Sequence, residues 1–172
     1  MIQNQTERLS HLSEVLLDMT GIQSVERSDS ISLAELTDEV CCDLASIADQ
    51  KKVELIQEEG DCTVTGSYLL LYRAVYNLVE NAIKYNHSGG KVTVKISQTK
   101  ALPAAHSKPA DYALVEVTDT GIGISPEYQE KIFDPFFRVD KSRSRAMGGA
   151  GLGLALVNEI ARQHGGQVKV LA

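Results

Sequence analysis

The sequence predicts an α/β (α+β) two-layer sandwich, with a mixed β-sheet on one side, helices on the other and a further helix at the N-terminus. Two observations carry that prediction. Residues 91–97 alternate strictly, placing Val92, Val94 and Ile96 on one face, and residues 112–118 read as a second strand. Leu71, Ala74, Val75, Leu78, Val79, Ala82 and Ile83 recur at i, i+3, i+4, i+7 and i+8, the stripe of a long helix with one apolar side. A sheet and helices that are each apolar on one side bury those sides against one another.

Composition bounds the function. The chain has 172 residues, 43% hydrophobic and 23% charged, which fits a folded domain and excludes disorder and collagen-like repeats. Seventeen basic residues face 23 acidic ones, for a net charge of -6, a poor balance for gripping nucleic acid through its phosphates. No stretch approaches the roughly 18 apolar residues of a bilayer span, and none has the pattern of a signal peptide. Cys41, Cys42 and Cys62 are odd in number and lack zinc-site spacing, and adjacent cysteines bridge poorly, so a reducing compartment is expected. The four histidines are scattered and form no HExxH.

The elements follow in order. Ile2, Leu9, Leu12, Leu16 and Met19 form a thin heptad seam, interrupted by Gln5, which needs a partner helix or a second chain. Gly21 ends that helix and residues 23–30 read as a linker. An extended piece around Ile31 and Leu33 leads into a helix over 34–50, then a strand over 53–57 closed by Gly60-Asp61. Ser67 caps the long helix, which runs to Tyr85. The two strands of the opening paragraph are joined by a long hairpin loop over 99–110. Ser125-Pro126-Glu127 starts a short helix with a cap, a proline in its first turn and an early acid. A last helix covers 152–163, stops at Gly165-Gly166, and is followed by a strand over 168–171.

The chemistry gathers in four places. On the long helix, Asn77, Glu80, Asn81 and Lys84 form a polar stripe with Tyr85 at its border. Asparagine is a mediocre helix former, so two at i and i+4 ask for a reason. Their amide oxygens can ligate Mg²⁺ and the lysine can reach a phosphate, although a solvated helix face would read the same. Asp119-Thr-Gly121-Ile-Gly123 follows a strand: the glycines admit a planar ligand closely, and the carboxylate accepts a hydrogen bond. Gly149, Gly151 and Gly153 lead into the last helix, whose exposed N–H groups suit an anion. They form neither a P-loop nor a dinucleotide fingerprint. Between them lie Phe133, Phe136 and Phe137, then Arg138, Lys141, Arg143 and Arg145, an aromatic and basic stretch that reads as a lid over phosphates.

In that order the motifs resemble the ATP-binding catalytic domain of sensor histidine kinases, the Bergerat fold. Residues 77–85 resemble its N box, 119–123 its first glycine box, 133–137 its F box and 149–154 its second glycine box. The resemblance implies these roles. Asn77 and Asn81 hold Mg²⁺ against the triphosphate of ATP, Glu80 shapes the same site, Lys84 contacts phosphate and Tyr85 packs beside adenine. Asp119 accepts from the adenine amino group, Gly121 and Gly123 admit the ring, and Arg138 approaches the phosphates. Gly149, Gly151, Gly153 and Leu154 shape the lid hinge and helix terminus. Glu80, Asn81 and Lys84 are the candidate catalytic residues for transfer of the γ-phosphoryl group to a histidine.

The resemblance also implies an organisation. Residues 1–27 are expected to be the second helix of a dimerisation and phosphotransfer hairpin plus a linker. Residues 28–172 are expected to be the catalytic domain, shortened at its C-terminal end. A homodimer through the first helix, a response-regulator receiver domain as partner, and a cytoplasmic position beneath a membrane-anchored sensor follow as expectations. The family's acceptor pattern is absent around His11, so the chain is expected to bind ATP without phosphorylating itself. Gyrase-, Hsp90- and MutL-like ATPases share the glycine turns but carry a glutamate four residues before the metal-binding asparagine. Here that position is Asn77, which cannot act as a base. A non-catalytic nucleotide-binding scaffold is the other alternative.

Overall fold

The computed structural model describes residues 28–101, 110–134, 137 and 153–171. The N-terminal seam, the tip of the hairpin loop, Phe136, Arg138 and the basic stretch, and Gly149 and Gly151 lie outside the described residues.

Strand β1 (Asp29–Ser32) runs straight into helix α1 (Leu33–Lys51). Ser32 caps that helix by accepting from the Glu35 N–H at 3.3 Å, and the Asp61 carboxylate accepts from the Ala34 N–H at 3.0 Å. Leu33, Leu36, Val40, Leu44 and Ala48 give α1 its buried face. Lys52, in the left-handed region at φ 59°, ends it and turns the chain into β2 (Glu54–Gln57). Strand β3 (Thr63–Gly66) returns antiparallel to β1, from Asp29 opposite Gly66 to Ser32 opposite Thr63. This small two-stranded sheet is not anticipated by the sequence reading, because β1 is mostly polar and β3 offers one apolar residue, Val64.

Helix α2 (Tyr68–Lys84) begins where expected, with the Ser67 hydroxyl accepting from the Leu70 N–H at 3.3 Å. The long hairpin β4 (Lys91–Ala101) and β5 (Ala110–Asp119) follows, its strands running several residues further than the alternation suggests. The main sheet has the order β2-β4-β5. Its first pair is parallel and its second antiparallel, so it is mixed as predicted. Helix α3 (Gly153–Gln163) ends at Gly165, whose φ of 73° suits glycine.

The two layers meet where Val92, Val94 and Ile96 pack under α1 and α2 with Val75, Val79, Ala82 and Ile83. Each such valine or isoleucine contributes roughly 1.5–3 kcal/mol when fully buried. A second cluster joins α2 to α3 through Leu70, Ala74, Leu156, Val157 and Ile160. Leu71 and Leu78 are half-buried at its border rather than central, and Leu70 takes the deep position.

Two local expectations need correction. Ser125 makes no side-chain cap bond, and Pro126–Tyr128 closes as a 3-10 turn, followed by another over Lys131–Phe133. Residues 168–171 join no ladder among the described residues. Val168 instead packs against the α2–α3 cluster, which satisfies its apolar side chain without a strand partner.

Candidate functional site

Helix α2 is the spine of the site. Its apolar face is committed to the two clusters, which turns Asn77, Glu80, Asn81 and Lys84 to the other side, all half-buried. Glu80 Oε1 and Lys84 Nζ lie 3.0 Å apart, an i, i+4 ion pair whose contribution to stability is small at this exposure. Burial first, then the nearby Glu80 charge, raise the Tyr76 phenol above its ordinary value. Tyr85 caps the helix, its N–H reaching the Asn81 carbonyl at 3.0 Å.

The Asp-Gly turn docks on that cap. Asp119 is the last residue of β5 and stands opposite Val92 in the ladder. Its Oδ1 accepts from the Gly121 N–H at 2.8 Å, which holds the carboxylate over the turn and leaves acceptor capacity on the exposed group. The Ile122 N–H donates to the Tyr85 carbonyl at 3.3 Å. A β-carbon on Gly121 would sit 2.6 Å from that same carbonyl oxygen, closer than packed atoms approach. Gly123, at φ 73°, lets the chain turn away.

A residue that the sequence reading does not single out ties these parts together. Asn86 is buried, 6% exposed, in the turn between α2 and β4. Its Nδ2 donates to the Lys91 carbonyl at 2.9 Å, and its Oδ1 accepts from the His87 N–H at 2.9 Å and the Thr120 hydroxyl at 3.3 Å. Thr120 Oγ1 in turn accepts from the Lys91 N–H at 2.9 Å. The helix end, the start of β4 and the Asp-Gly turn are thus one hydrogen-bonded unit. A β-carbon on Gly90 would fall 2.1 Å from Asn86 Oδ1, so that glycine admits the amide. The available signal is the run Asn86-His-Ser-Gly-Gly90, an amide entering a glycine turn directly after the helix.

Helix α3 brings the third part. Gly153, its first residue, faces Asn77: a β-carbon there would be 4.0 Å from the Asn77 Cγ, with Leu154 half-buried beside it. The far end of α3 is latched to the start of α2. His164 Nδ1 donates to the Ile160 carbonyl at 2.8 Å, and its Nε2 accepts from the Ser67 N–H at 3.0 Å, so the ring is the neutral Nδ1–H form. Gly66 leaves room for that ring, since a β-carbon would come within 2.5 Å of His164 Cδ2. Of the aromatic stretch, Phe133 ends a 3-10 turn packed beside α3, and Phe137 meets Tyr128 at 5.8 Å between ring centroids.

The structure therefore sets Asn77, Glu80, Asn81 and Lys84 on one side of α2, the Asp119–Gly123 turn against Tyr85 at its end, and Gly153, followed by Leu154, beside Asn77. Arg138, Gly149 and Gly151 lie outside the described residues. The donors fit a hard cation held mainly by phosphates: Asn77 and Asn81 offer amide oxygens one turn apart, and Gly153 leaves space beside the first of them.

Comparison with known proteins gives the family of the fold. Residues 66–171 match the family described as "Histidine kinase-, DNA gyrase B-, and HSP90-like ATPase". The chain is 33% identical over 170 residues to the sensor-like histidine kinase SenX3 of Mycolicibacterium smegmatis, covering 96% of this chain and 42% of that protein. It is 31% identical over 170 residues to the sensor histidine kinase WalK of Bacillus subtilis, covering 96% and 26%. Among solved structures, the mycobacterial sensor histidine kinase MprB superposes with a TM-score of 0.64 at 29% identity, over 80% of each chain. The chain thus spans about two fifths of the length of the SenX3 relative, and about a quarter of that of WalK.

Proposed function

Because the chain belongs to the histidine kinase-, DNA gyrase B- and HSP90-like ATPase family, and its relatives are sensor histidine kinases, we propose that this ATP-binding catalytic domain serves phosphoryl transfer to a histidine. The observation that carries the proposal is the identity of the groups along α2. Asn77, where a hydrolytic relative would need a basic carboxylate, is an amide, and it stands beside the N-terminus of α3.

The residues divide the work as follows. Asp119 accepts from the adenine amino group, and the same carboxylate opposes the oxygen that guanine presents there. Gly121 and Gly123 keep the wall beside the ring to backbone thickness, with Tyr85 next to it. Asn77 and Asn81 offer amide oxygens to Mg²⁺, which when bound neutralises phosphate charge. Lys84 places its ammonium toward the phosphates, and Glu80, paired with it, keeps that ammonium in place. Gly153 and the N–H groups at the start of α3 favour the anionic end of the ligand. The family resemblance adds Arg138, Gly149 and Gly151, which lie outside the described residues, as phosphate-side groups. No general base is required of the chain, since phosphoryl transfer rests largely on positioning and charge neutralisation.

The acceptor histidine, a response-regulator receiver domain downstream, a homodimer formed through residues 1–27 and a place on the cytoplasmic side of a membrane-anchored sensor belong to the same proposal. No helix among the described residues is long and apolar enough to cross a membrane. The test is transfer of label from γ-labelled ATP to a separately supplied helical hairpin carrying the acceptor histidine. Labelled hairpin supports the proposal. A folded, ATP-loaded chain that transfers nothing, tried against hairpins of the sensor kinases to which it is similar, favours the scaffold. Turnover of ATP to phosphate that Asn77→Ala abolishes in a folded variant favours the ATPase.

A further inference from the structure

Thr120 stands between the carboxylate assigned to the base and the first glycine beside it, and the reading above gives it no part. The residue is exposed, yet its hydroxyl is engaged twice. The last ladder pair of the β4–β5 hairpin is Val92 opposite Asp119. One residue further on, the Thr120 N–H still donates to the Lys91 carbonyl, at 3.1 Å. In an antiparallel ladder the return bond would run from the Lys91 N–H to the Thr120 carbonyl. Here the Lys91 N–H goes to Thr120 Oγ1 instead, at 2.9 Å. The side chain stands in for its own carbonyl, which releases the backbone from the sheet where the turn begins.

Asn86 sets the direction of these bonds. Its Nδ2 donates to the Lys91 carbonyl at 2.9 Å, so the amide oxygen faces the hydroxyl and can only accept. The Thr120 proton is therefore directed at Asn86 Oδ1, 3.3 Å away, and an oxygen lone pair is left for the Lys91 N–H. The effect falls on the residues either side. Asp119 Oδ1 accepts from the Gly121 N–H at 2.8 Å, so the backbone angles of Thr120 decide where that carboxylate rests. Beyond it, the Ile122 N–H is held by the Tyr85 carbonyl. Consecutive residues Tyr85 and Asn86 thus hold residues 120–122.

We propose that Thr120 is a positioning residue for base selection: its hydroxyl, held by Asn86 and Lys91, ends the ladder at Asp119 and keeps that carboxylate aimed at the amino group of adenine. The inference rests on the functional reading above and extends it to a residue to which that reading gives no role. Without the hydroxyl, the Lys91 N–H turns to the backbone carbonyl of residue 120. The ladder then gains a pair, and Gly121 is drawn away from the Asp119 carboxylate.

Thr120→Val tests this, because valine keeps the branched shape and loses only the hydroxyl. Calorimetric titration of the whole chain in Mg²⁺ compares ATP with the triphosphate of unsubstituted purine riboside, which lacks only the amino group. The parent is expected to prefer ATP by about ten- to a hundredfold, the scale of a hydrogen bond to a charged group. In Thr120→Val that preference should narrow by at least about threefold, while Thr120→Ser, which retains a hydroxyl, should keep it. Thr120→Ala, with the same loss and less bulk, serves if valine unsettles the fold. The preference is the deciding quantity, because a merely structural fault weakens both nucleotides alike. A preference narrowed by less than that without the hydroxyl, or one that Thr120→Ser also loses, overturns the proposal. A parent that binds neither nucleotide brings down the nucleotide site itself, and a parent that binds both equally brings down the role of Asp119. A parent that distinguishes them, beside a Thr120→Val that distinguishes them as well, brings down the positioning role alone.

Discussion

The Tyr85 carbonyl at the end of α2 and the α-carbon of Gly121 are packed so closely that a β-carbon would lie 2.6 Å from the carbonyl oxygen. That contact, with the Ile122 N–H on the same oxygen at 3.3 Å, sets the Asp119 turn against the helix that carries Asn77 and Asn81. Gly121→Ala is expected to push the turn off the helix. The backbone carbonyl cannot swing aside as a side chain would, so stability should fall by about 1–3 kcal/mol, the usual cost of overpacking. ATP affinity should fall with it. Thermal melts and nucleotide titration check both, and an unaltered variant would show that the turn has slack.

Asn77→Ala removes one amide oxygen from the polar stripe while leaving the buried face of α2 untouched. Alanine is the better helix former, so the fold should be unharmed. Affinity for Mg-ATP is expected to drop about ten- to a hundredfold, the range found when a support of a metal site is lost. Titration with and without Mg²⁺ reads the effect. Equal affinity for parent and variant in Mg²⁺ would remove Asn77 from the site.

His164→Ala should loosen α3 from the start of α2. The change leaves the Ser67 N–H, at the cap of α2, without its acceptor and opens space beside Gly66. An unmet backbone donor of this kind costs about 1–3 kcal/mol. Denaturant unfolding measures the loss. His164→Gln, which keeps an acceptor, should recover part of it.

Asp61 gives the fold an acid limit. The Ala34 N–H first, then the Ser32 hydroxyl and the Cys62 N–H, hold its carboxyl below the ordinary carboxylate range. A lowered folded-state pKa means that the stabilisation is present above the unfolded value of about 3.9 and is lost as pH falls through the folded value. Melting temperature should therefore decline in acid, and Asp61→Asn should lose less between pH 7 and pH 3 than the parent does. Parallel profiles would show that Asp61 plays no part.

Strong periodicity made α2 and the β4–β5 hairpin legible in the sequence. Val92, Val94 and Ile96 are each 4% exposed or less, as strict alternation requires. The small β1–β3 sheet was not legible, because its strands carry Ile31 and Val64 among polar residues and exist by pairing with each other. The polar stripe of Asn77, Glu80, Asn81 and Lys84 was legible too, since it is what the apolar spacing of α2 leaves over. What ties the Asp-Gly turn and α3 to the ends of α2 was not legible: Asn86 and His164 act through contacts between residues far apart in the chain, and a single amide or imidazole leaves no periodic trace. The cap at Ser125 failed for a related reason, since its pattern was right for a helix that the chain does not continue.

The most direct test of the central claim is a calorimetric titration of the chain with ATP and with GTP in Mg²⁺, beside Asp119→Asn. Asp119 keeps its carboxylate exposed over the turn, with Oδ1 engaged by the Gly121 N–H at 2.8 Å. The account predicts ATP binding by the parent, no comparable binding of GTP, and loss of the ATP signal in the variant. A folded parent that takes up GTP as readily as ATP, or a variant that binds ATP unchanged, would contradict it.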